Sequence, residues 1–316
     1  ARLHVGGWGS LERAGCTWAL EGTRVWHCDP LLPGLGPPCV EYDPVPSVPW
    51  INAGSRRCLN SVDGGGIRGD PHIAFAHGGR ADFRGGERKL FNFLSVPGLA
   101  VNVRTEESIF KLHDARLTVN GTYITELHVC ALVGGSKRKW ANASFWASEL
   151  NQENWGWRLI NGTCGGQRFK LGKGGFKKCE ELAVEVDMAS ATFSLRDWTI
   201  TARGNHVMTR VSGPKHRIDV TFTASGEAVA RDQPHGVIGQ SFRSATPRNG
   251  KVDLYPVAGS FTTSAMAEGA IEGTAAMYEV MSPFTTSFAF SRFAAESREV
   301  PALRLANLAA EAGVVE

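Results

Sequence analysis

Hydrophobic and polar residues alternate along the middle of the chain, from about residue 72 to residue 222. The clearest runs are 182–188 (with Leu182, Val184, Val186 and Met188 as its apolar positions), 191–195, 198–203 and 217–222. A period of two puts one set of side chains on a buried face and the other in water, as in a half-exposed β-strand. The pattern predicts an all-β fold, either an antiparallel β-sandwich or a flattened barrel.

Glycine positions predict where the strands turn. The chain has 37 glycines in 316 residues, more than the typical fraction of about 7%, and they follow no period. We therefore expect many tight turns and no collagen-like segment. The pairs Asn120-Gly121, Asn161-Gly162 and Gly204-Asn205 favour hairpin turns. Residues 61–72, SVDGGGIRGDPH, are expected to form a glycine-rich loop that leads into the strands.

The composition divides the chain into three parts. Residues 1–60 are rich in Cys, Trp and Pro and have few strand signals, residues 61–290 form the predicted β domain, and residues 291–316 form a tail. Within the tail, residues 302–312 follow Pro301 and predict a short amphipathic helix. This helix is expected to pack either on its own sheet or on a partner chain.

Charge and hydropathy exclude several classes of protein. The net charge of +3 is too small to indicate nucleic-acid binding, and no apolar run is long enough to span a membrane. The hydrophobic fraction of 42% excludes a disordered chain. The first residue is Ala1 and not Met, so we expect a processed or trimmed N-terminus.

Seven cysteines and three glycosylation sequons indicate a secreted, extracellular or cell-surface protein. The expected disulfide cysteines are Cys16, Cys28, Cys39, Cys58, Cys164 and Cys179, with the last two closing one short loop and Cys130 left buried and inert. Free thiols and a zinc site are the alternatives, although no C-x-x-C pair occurs. The sequons begin at Asn120, Asn142 and Asn161. Each is expected either to carry a glycan at an exposed turn or to be only a turn.

Known catalytic signatures are absent, so we expect no enzyme activity and no cofactor apart from calcium. Asp70, His72, His77 and Asp82 lie within thirteen positions, and Asp70 and His72 are expected to share one face. Calcium prefers several oxygen ligands, for which Asp63 and Asp70 are the candidates.

Basic and aromatic residues suggest a surface for polysaccharide. Five cations without an intervening acid are Arg168, Lys170, Lys173, Lys177 and Lys178. Together with residues 137–139 they would form a basic patch for an anionic polysaccharide; the alternative is a solvated loop. Trp155 and Trp157 lie two positions apart and would share one strand face, either stacking on sugars or packing in the core.

Two boxes of residues resemble the von Willebrand factor type D-like domains, most closely the plant root-cap and late-embryogenesis-type relatives. The first box is Gly69-Asp70-Pro71-His72, followed by IAFA and GGRADFRG, and the second is Pro234-His235-Gly236-Val237-Ile238-Gly239-Gln240-Ser241-Phe242. The resemblance covers roughly residues 66–260. It implies a secreted β-sandwich used in adhesion, matrix assembly or polymerisation. Some such domains bind calcium near the opening strands, and only Asp70 matches there. The mucin-type C-G-x-C box is missing, so multimers linked through it are not expected.

Both boxes are expected to serve architecture. Asp70 can accept backbone N–H groups in an Asx turn, and His72 then needs only a neighbouring carbonyl. Gly236 and Gly239 allow close approach of the backbone, and Gln240 can tie a neighbouring strand edge. The leading hypothesis is a non-catalytic structural or adhesive module in a cell-surface, matrix or filament assembly, with other protein subunits as partners. The alternatives are a carbohydrate-binding module and, third, a hydrolase.

Overall fold

The chain divides into two compact units, Ala1–Ser61 and Val62–Glu316. The computed structural model describes residues 61–150 and 160–293, with side chains from residue 64 onward, and the backbone of four strands in the first unit. The helix predicted at residues 302–312 lies outside these residues.

The first unit contains a four-stranded antiparallel sheet in the order β1-β2-β3-β4. Its strands are β1 Gly9–Arg13, β2 Cys16–Glu21, β3 Arg24–Cys28 and β4 Cys39–Tyr42. The expectation of few strands here is therefore wrong. These strands are short, and the period of two is hard to recognise over so few residues. The disulfides expected at Cys16, Cys28, Cys39 and Cys58 lie outside the described side chains.

The second unit is a mostly antiparallel β-sandwich of two sheets, as the alternation predicted, with β10 and β20 as a parallel pair. In chain order its elements are β5 Ser61–Arg68, β6 His72–Ala74, β7 Arg80–Asp82, β8 Lys89–Val96, β9 Leu99–Leu112, β10 Leu117–Val133, β11 Lys139–Trp146, β12 Ile160–Cys164, β13 Gln167–Leu171, β14 Phe176–Cys179, β15 Leu182–Val186, β16 Ser190–Leu195, β17 Trp198–His206, β18 Arg210–Ser212, β19 His216–Ser225, helix α1 Gly226–Asp232, β20 Gly259–Thr262 and β21 Glu279–Val280.

The two sheets have different strand orders. The first is β13-β12-β11-β10-β9-β8-β21, with β18 beside β9 and β20 beside β10. The second is β14-β15-β16-β17-β19-β5-β6-β7. Apolar side chains from the inner faces of both sheets form one continuous core; its large members include Phe93, Phe145, Phe193, Trp198 and Phe222. Burying each such side chain contributes about 1.5–3 kcal/mol.

Four strands of the second sheet confirm the alternation most directly. β15, β16, β17 and β19 bury every second residue in the stretches 182–186, 191–195, 198–202 and 218–222. Met188 is the exception, with 53% of its surface exposed. It follows the end of β15 at Val186, in the turn that leads to β16.

Several glycines expected in turns lie instead inside strands. Gly204-Asn205 belongs to β17, and Asn120-Gly121 and Asn161-Gly162 belong to β10 and β12. A Cβ atom on Gly204 would lie 2.0 Å from Leu150 Cδ1, and one on Gly162 would lie 2.3 Å from the Phe169 ring. These glycines leave room for a side chain from a neighbouring element, so the predicted hairpin turns are wrong.

The expected loop at residues 61–72 is also mainly a strand. Its first eight residues form β5, which lies between β19 and β6 in the second sheet. A Cβ on Gly64 would meet the Phe222 carbonyl oxygen at 2.8 Å, and one on Gly66 would meet the Val220 carbonyl oxygen at 2.9 Å. The glycine run therefore allows β5 to lie close against β19.

One disulfide joins the two sheets. Cys164 at the end of β12 is bonded to Cys179 at the end of β14, as predicted, with their Cα atoms 5.8 Å apart. Cys130 is a free, buried cysteine in β10, also as predicted. Burial raises the pKa of the Cys130 thiol to about 12, so the unreactive protonated form dominates at neutral pH.

A second, smaller core lies at the far end of the long β9–β10 hairpin. It contains Phe110, Leu117, Val119, Tyr123 and Val207, with Tyr255 and Phe261 packed against it. β18 and β20 flank the same end of the hairpin. This packing brings the segment that contains Tyr255 next to the first sequence box.

Candidate functional site

The first box forms a hydrogen-bonded cluster of four side chains. His72 and Asp82 are directly paired on β6 and β7, and His72 Nδ1 lies 2.7 Å from Asp82 Oδ1. His72 Nε2 lies 3.1 Å from Asp70 Oδ1, so Asp70 and His72 share one face as predicted. The Tyr255 hydroxyl donates to the other oxygen of Asp70. The cluster thereby ties the opening strands to a segment 185 residues away.

The charge state of His72 follows from its two carboxylate partners. Hydrogen bonds to Asp70 and Asp82 raise the pKa of His72 to about 10, although partial burial opposes the shift. Half of its side chain is exposed, so solvent screening weakens the pairing. His72 is therefore an imidazolium at neutral pH and cannot accept a proton from a substrate.

Two expectations for this box need correction. Asp70 accepts from Tyr255 and His72, and the backbone N–H of Gly69 donates to Asp219 Oδ1 at 3.1 Å, so the expected Asx turn at Asp70 is wrong. His72 is held by two carboxylates, where a backbone carbonyl was expected. The register of β6 and β7, which places Asp82 opposite His72, produces the second difference.

The structure describes only part of the proposed calcium site. The side chain of Asp63 lies outside the described residues, and His77 lies in the turn at 76–78, not on the face of His72. In the described part of the chain, no group of three or more His, Cys, Asp or Glu side chains is arranged to hold a metal ion. Calcium at Asp63 and Asp70 stays a prediction.

The second box centres on a fully buried histidine. The backbone of His235 pairs with that of Ser95 through two hydrogen bonds of 2.7 and 2.8 Å. Its Nδ1 accepts from the Gly236 N–H at 2.9 Å, and Nε2 donates to Glu272 at 3.1 Å. The ring stacks on Phe290 with centroids 4.6 Å apart. Desolvation lowers the pKa of His235, so the neutral ring is favoured.

Gln240 uses both ends of its buried amide. Its Nε2 donates to the Gly236 carbonyl at 3.0 Å and to the Tyr278 hydroxyl at 2.9 Å. Its Oε1 accepts from Arg248 at 3.1 Å and from the Glu272 N–H at 2.9 Å. Gln240 therefore connects the box to residues 248–278, and a satisfied buried amide of this kind fixes one arrangement of the chain.

The glycines of the second box allow close approach, as predicted. Gly236 has φ 103°, and a Cβ there would lie 2.6 Å from the carbonyl carbon and oxygen of Phe93. A Cβ on Gly239 would lie 2.9 Å from Leu94 Cδ1. Val237 and Ile238 between them are fully buried.

The two boxes meet through their apolar ends. The Ala76 N–H, just after β6, donates to Ser241 Oγ at 3.1 Å, and a Cβ on Gly65 would touch Ile238. Their polar groups have separate partners: His72 pairs with Asp70 and Asp82, and His235 pairs with Glu272. The boxes are thus joined in the core by apolar contacts and one hydrogen bond, while His72 and His235 lie in separate sites.

A third arrangement, which was not among the predicted sites, lies on the outer face of the first sheet. His128 lies between Ser144 Oγ, 2.7 Å from Nδ1, and Glu126 Oε2, 2.8 Å from Nε2. Burial alone would raise the pKa of Glu126, but hydrogen bonds from His128 and Trp146 and the charge of Arg104 lower it. Glu126 and His128 are two apart in a predicted strand, which is the signal that could have placed them on one face.

This Ser-His-Glu set has the order of a nucleophile, a base and an orienting acid. Yet His128 is only 1% exposed and Ser144 only 2%. The Phe284 ring lies edge-on to the His128 ring at 5.7 Å. Ser144 also lies in β11 between β10 and β12, where backbone N–H groups serve the sheet and not an oxyanion. The set is enclosed in the fold.

The basic residues do not form the single patch that was predicted. Phe169 and Leu171 of β13 pack against the core, so Arg168 and Lys170 point outward from the first sheet. Lys178 points outward from the second sheet, because Cys179 next to it is buried. Lys139 pairs with Glu180 at 2.6 Å and is neutralised. The positive charges therefore lie on the outer faces of two different sheets.

Other expected site residues are placed as follows. Trp155 and Trp157 lie outside the described residues. Asn120, Asn142 and Asn161 all lie within strands, so the expected turn positions are wrong, and glycosylation itself stays a prediction. Asn120 Oδ1 accepts from Arg84 at 3.3 Å, and Asn142 Oδ1 is buried without a partner among the described groups.

No protein-family model and no curated protein matches this sequence. Among the described helices, none combines the length and the apolar character needed to cross a lipid bilayer.

Proposed function

We propose that the chain is a non-catalytic structural or adhesive module of an extracellular assembly, of the von Willebrand factor type D-like kind. One observation carries the proposal: the polar groups of both boxes are used in contacts within the fold. His72 joins β6 and β7 to each other and to Asp70, and Gln240 joins four chain segments. These contacts support a scaffold role, because they occupy the polar side chains of His72 and Gln240 within the fold.

Acid–base chemistry supports the same proposal. A general base must be within reach of substrate and have a pKa near the operating pH. His72 is within reach but already protonated, whereas His235 and the Ser144–His128 pair are enclosed. None of these three histidine arrangements meets both conditions.

The disulfide supports an extracellular or cell-surface location. Cys164–Cys179 connects the edges of two sheets, and such bonds persist in oxidising compartments. The proposed partners are other protein subunits of the same assembly.

Fractionation of the source cells tests this function. We expect the chain in extracellular material that resists detergent and salt, visible there by immunogold electron microscopy. Differential alkylation should find Cys164 and Cys179 oxidised and Cys130 reduced. A cytosolic chain with alkylatable Cys164 and Cys179 would contradict the proposal.

A serine-reactive fluorophosphonate tests the non-catalytic part. We expect no labelling of the folded chain, because Ser144 is enclosed. Labelling of the native protein that disappears in Ser144→Ala would identify a working nucleophile and overturn this part of the proposal.

A further inference from the structure

The edges of the two sheets come together at β13 and β14. β13 is the last strand of the first sheet and β14 the last strand of the second, and the Cys164–Cys179 disulfide joins them through the neighbouring β12. The segment from Gly165 to Cys179 contains five cations and no acid. They are Arg168, Lys170, Lys173, Lys177 and Lys178. The disulfide therefore ties together the two sheet edges that carry these cations.

These five cations lack counter-ions among the residues that the structure describes. Two other lysines have them: Lys139 pairs with Glu180 at 2.6 Å, and Lys89 pairs with Glu279 at 2.9 Å. Charged residues on an edge strand also discourage pairing with another chain, so charge alone does not identify a ligand. The neighbours on β12 are more informative.

Neutral polar groups accompany the cations on the outer face of the first sheet. Arg168 is directly paired with Thr163, and Lys170 is directly paired with Asn161. Asn142 of β11 continues the row beyond Thr163. Each cation thus has a hydroxyl or amide side chain about 5 Å away, one strand spacing across the sheet. A surface on which cations lie beside hydroxyl and amide groups suits a ligand that carries both anionic groups and hydroxyl groups.

An aromatic ring lies on the same face. Trp140 is two residues before Asn142 on β11 and is 49% exposed. It stacks on Phe293 at a centroid distance of 5.4 Å, which fixes the orientation of the indole. A fixed and half-exposed indole can contact the apolar face of a sugar ring while its neighbours bind polar groups.

We propose that the outer face of β11–β13 binds a polysaccharide that carries sulfate or carboxylate groups. Arg168 and Lys170 bind the anionic groups, and Thr163 and Asn161 bind hydroxyl groups. The inference deepens the proposed extracellular function, on which it rests for its biological setting. Binding itself is measurable whatever the location of the chain.

The experiment measures binding of dextran sulfate, polygalacturonate and uncharged dextran by calorimetry. It uses the full, oxidised chain made without N-glycans, because Asn161 begins a sequon on this face. We expect binding of dextran sulfate or polygalacturonate, the better of the two identifying the anionic group, and none of dextran. Arg168→Gln with Lys170→Gln should weaken binding about tenfold. The matched control, Lys111→Gln with Lys215→Gln, removes the same charge from other exposed positions and should change binding less than about twofold.

Thr163→Val separates polysaccharide recognition from general attraction to polyanions. We expect it to weaken polysaccharide binding while leaving the weaker binding of random duplex DNA unchanged. Equal affinity for DNA and polysaccharide, an equal loss in the control variant, or no binding of either charged polysaccharide would overturn the inference. None of these results would alter the fractionation and alkylation results, so the two proposals fail independently.

Discussion

Gly236 offers a sharp test of the second box, because two structural features exclude any side chain there. Its φ of 103° lies in the region that L residues rarely adopt, which costs a non-glycine residue about 1–2 kcal/mol. A Cβ would also lie 2.6 Å from the Phe93 carbonyl, and backbone atoms cannot move as a side chain can. Relieving such an overlap costs about 1–3 kcal/mol. We expect Gly236→Ala to lower the free energy of unfolding by about 3 kcal/mol.

Urea denaturation monitored by tryptophan fluorescence measures this change. Gly239→Ala is the matched control, since its Cβ would meet only the end of the Leu94 side chain at 2.9 Å. We expect that substitution to cost less than about 1 kcal/mol, because Leu94 can adjust its rotamer. If both variants lost the same stability, or Gly236→Ala lost none, the close-packing explanation of this box would be refuted.

Three further variants test other parts of the fold. Replacing both Cys164 and Cys179 by Ala opens a loop with a sequence separation of 15 and should lower the free energy of unfolding by about 3 kcal/mol. Urea denaturation of the wild type in reductant should show the same loss of stability. Urea curves that do not change in either case would contradict this. The stabilisation of wild type relative to His72→Gln should be complete below pH 6.5, the ordinary pKa of His, and lost as the pH rises through about 10. A difference in urea midpoint between the two proteins that grows with pH would contradict this prediction. Trp198→Phe removes the indole N–H that donates to buried Asp232 at 2.8 Å. Thermal denaturation should show that the free energy of unfolding falls by about 1–3 kcal/mol. An unchanged melting temperature would show that this hydrogen bond does not stabilise the fold.

The strands were predictable where one face is buried and the other is wet. β15, β16, β17 and β19 alternate in sequence because their inner residues meet the core and their outer residues meet water. Met188 broke the rule because the alternation in sequence continued beyond the strand. The alternation shows which face a residue would occupy within a strand, but not where the strand ends.

The prediction that these glycines lie in turns is wrong for a different reason. Gly204, Gly162 and Gly66 are needed because Leu150, Phe169 and the backbone of Val220 approach them closely. Except for Phe169, seven residues after Gly162, these partners are distant in sequence. The same residue type favours turns locally and close contacts globally, so a single sequence cannot separate the two roles.

The candidate site was predictable only in its local part. Asp70 and His72 are two residues apart, and their shared face followed from strand geometry. Tyr255 could not be assigned to the same cluster, because its position depends on the packing of the small core around Phe110. Glu126 and His128 could have been paired from their spacing, but Ser144 required the register of β10 and β11.

The position of β5 in the second sheet has a consequence for biosynthesis. β5 lies between β6 and β19, and Gly69 just after it donates to Asp219, 150 residues later. During translation from the N-terminus, β5 therefore emerges from the ribosome long before the strand that covers its other edge. Until β19 is made, that edge is open to pairing with other nascent chains. Efficient production should thus depend on a chaperone that shields this edge during synthesis.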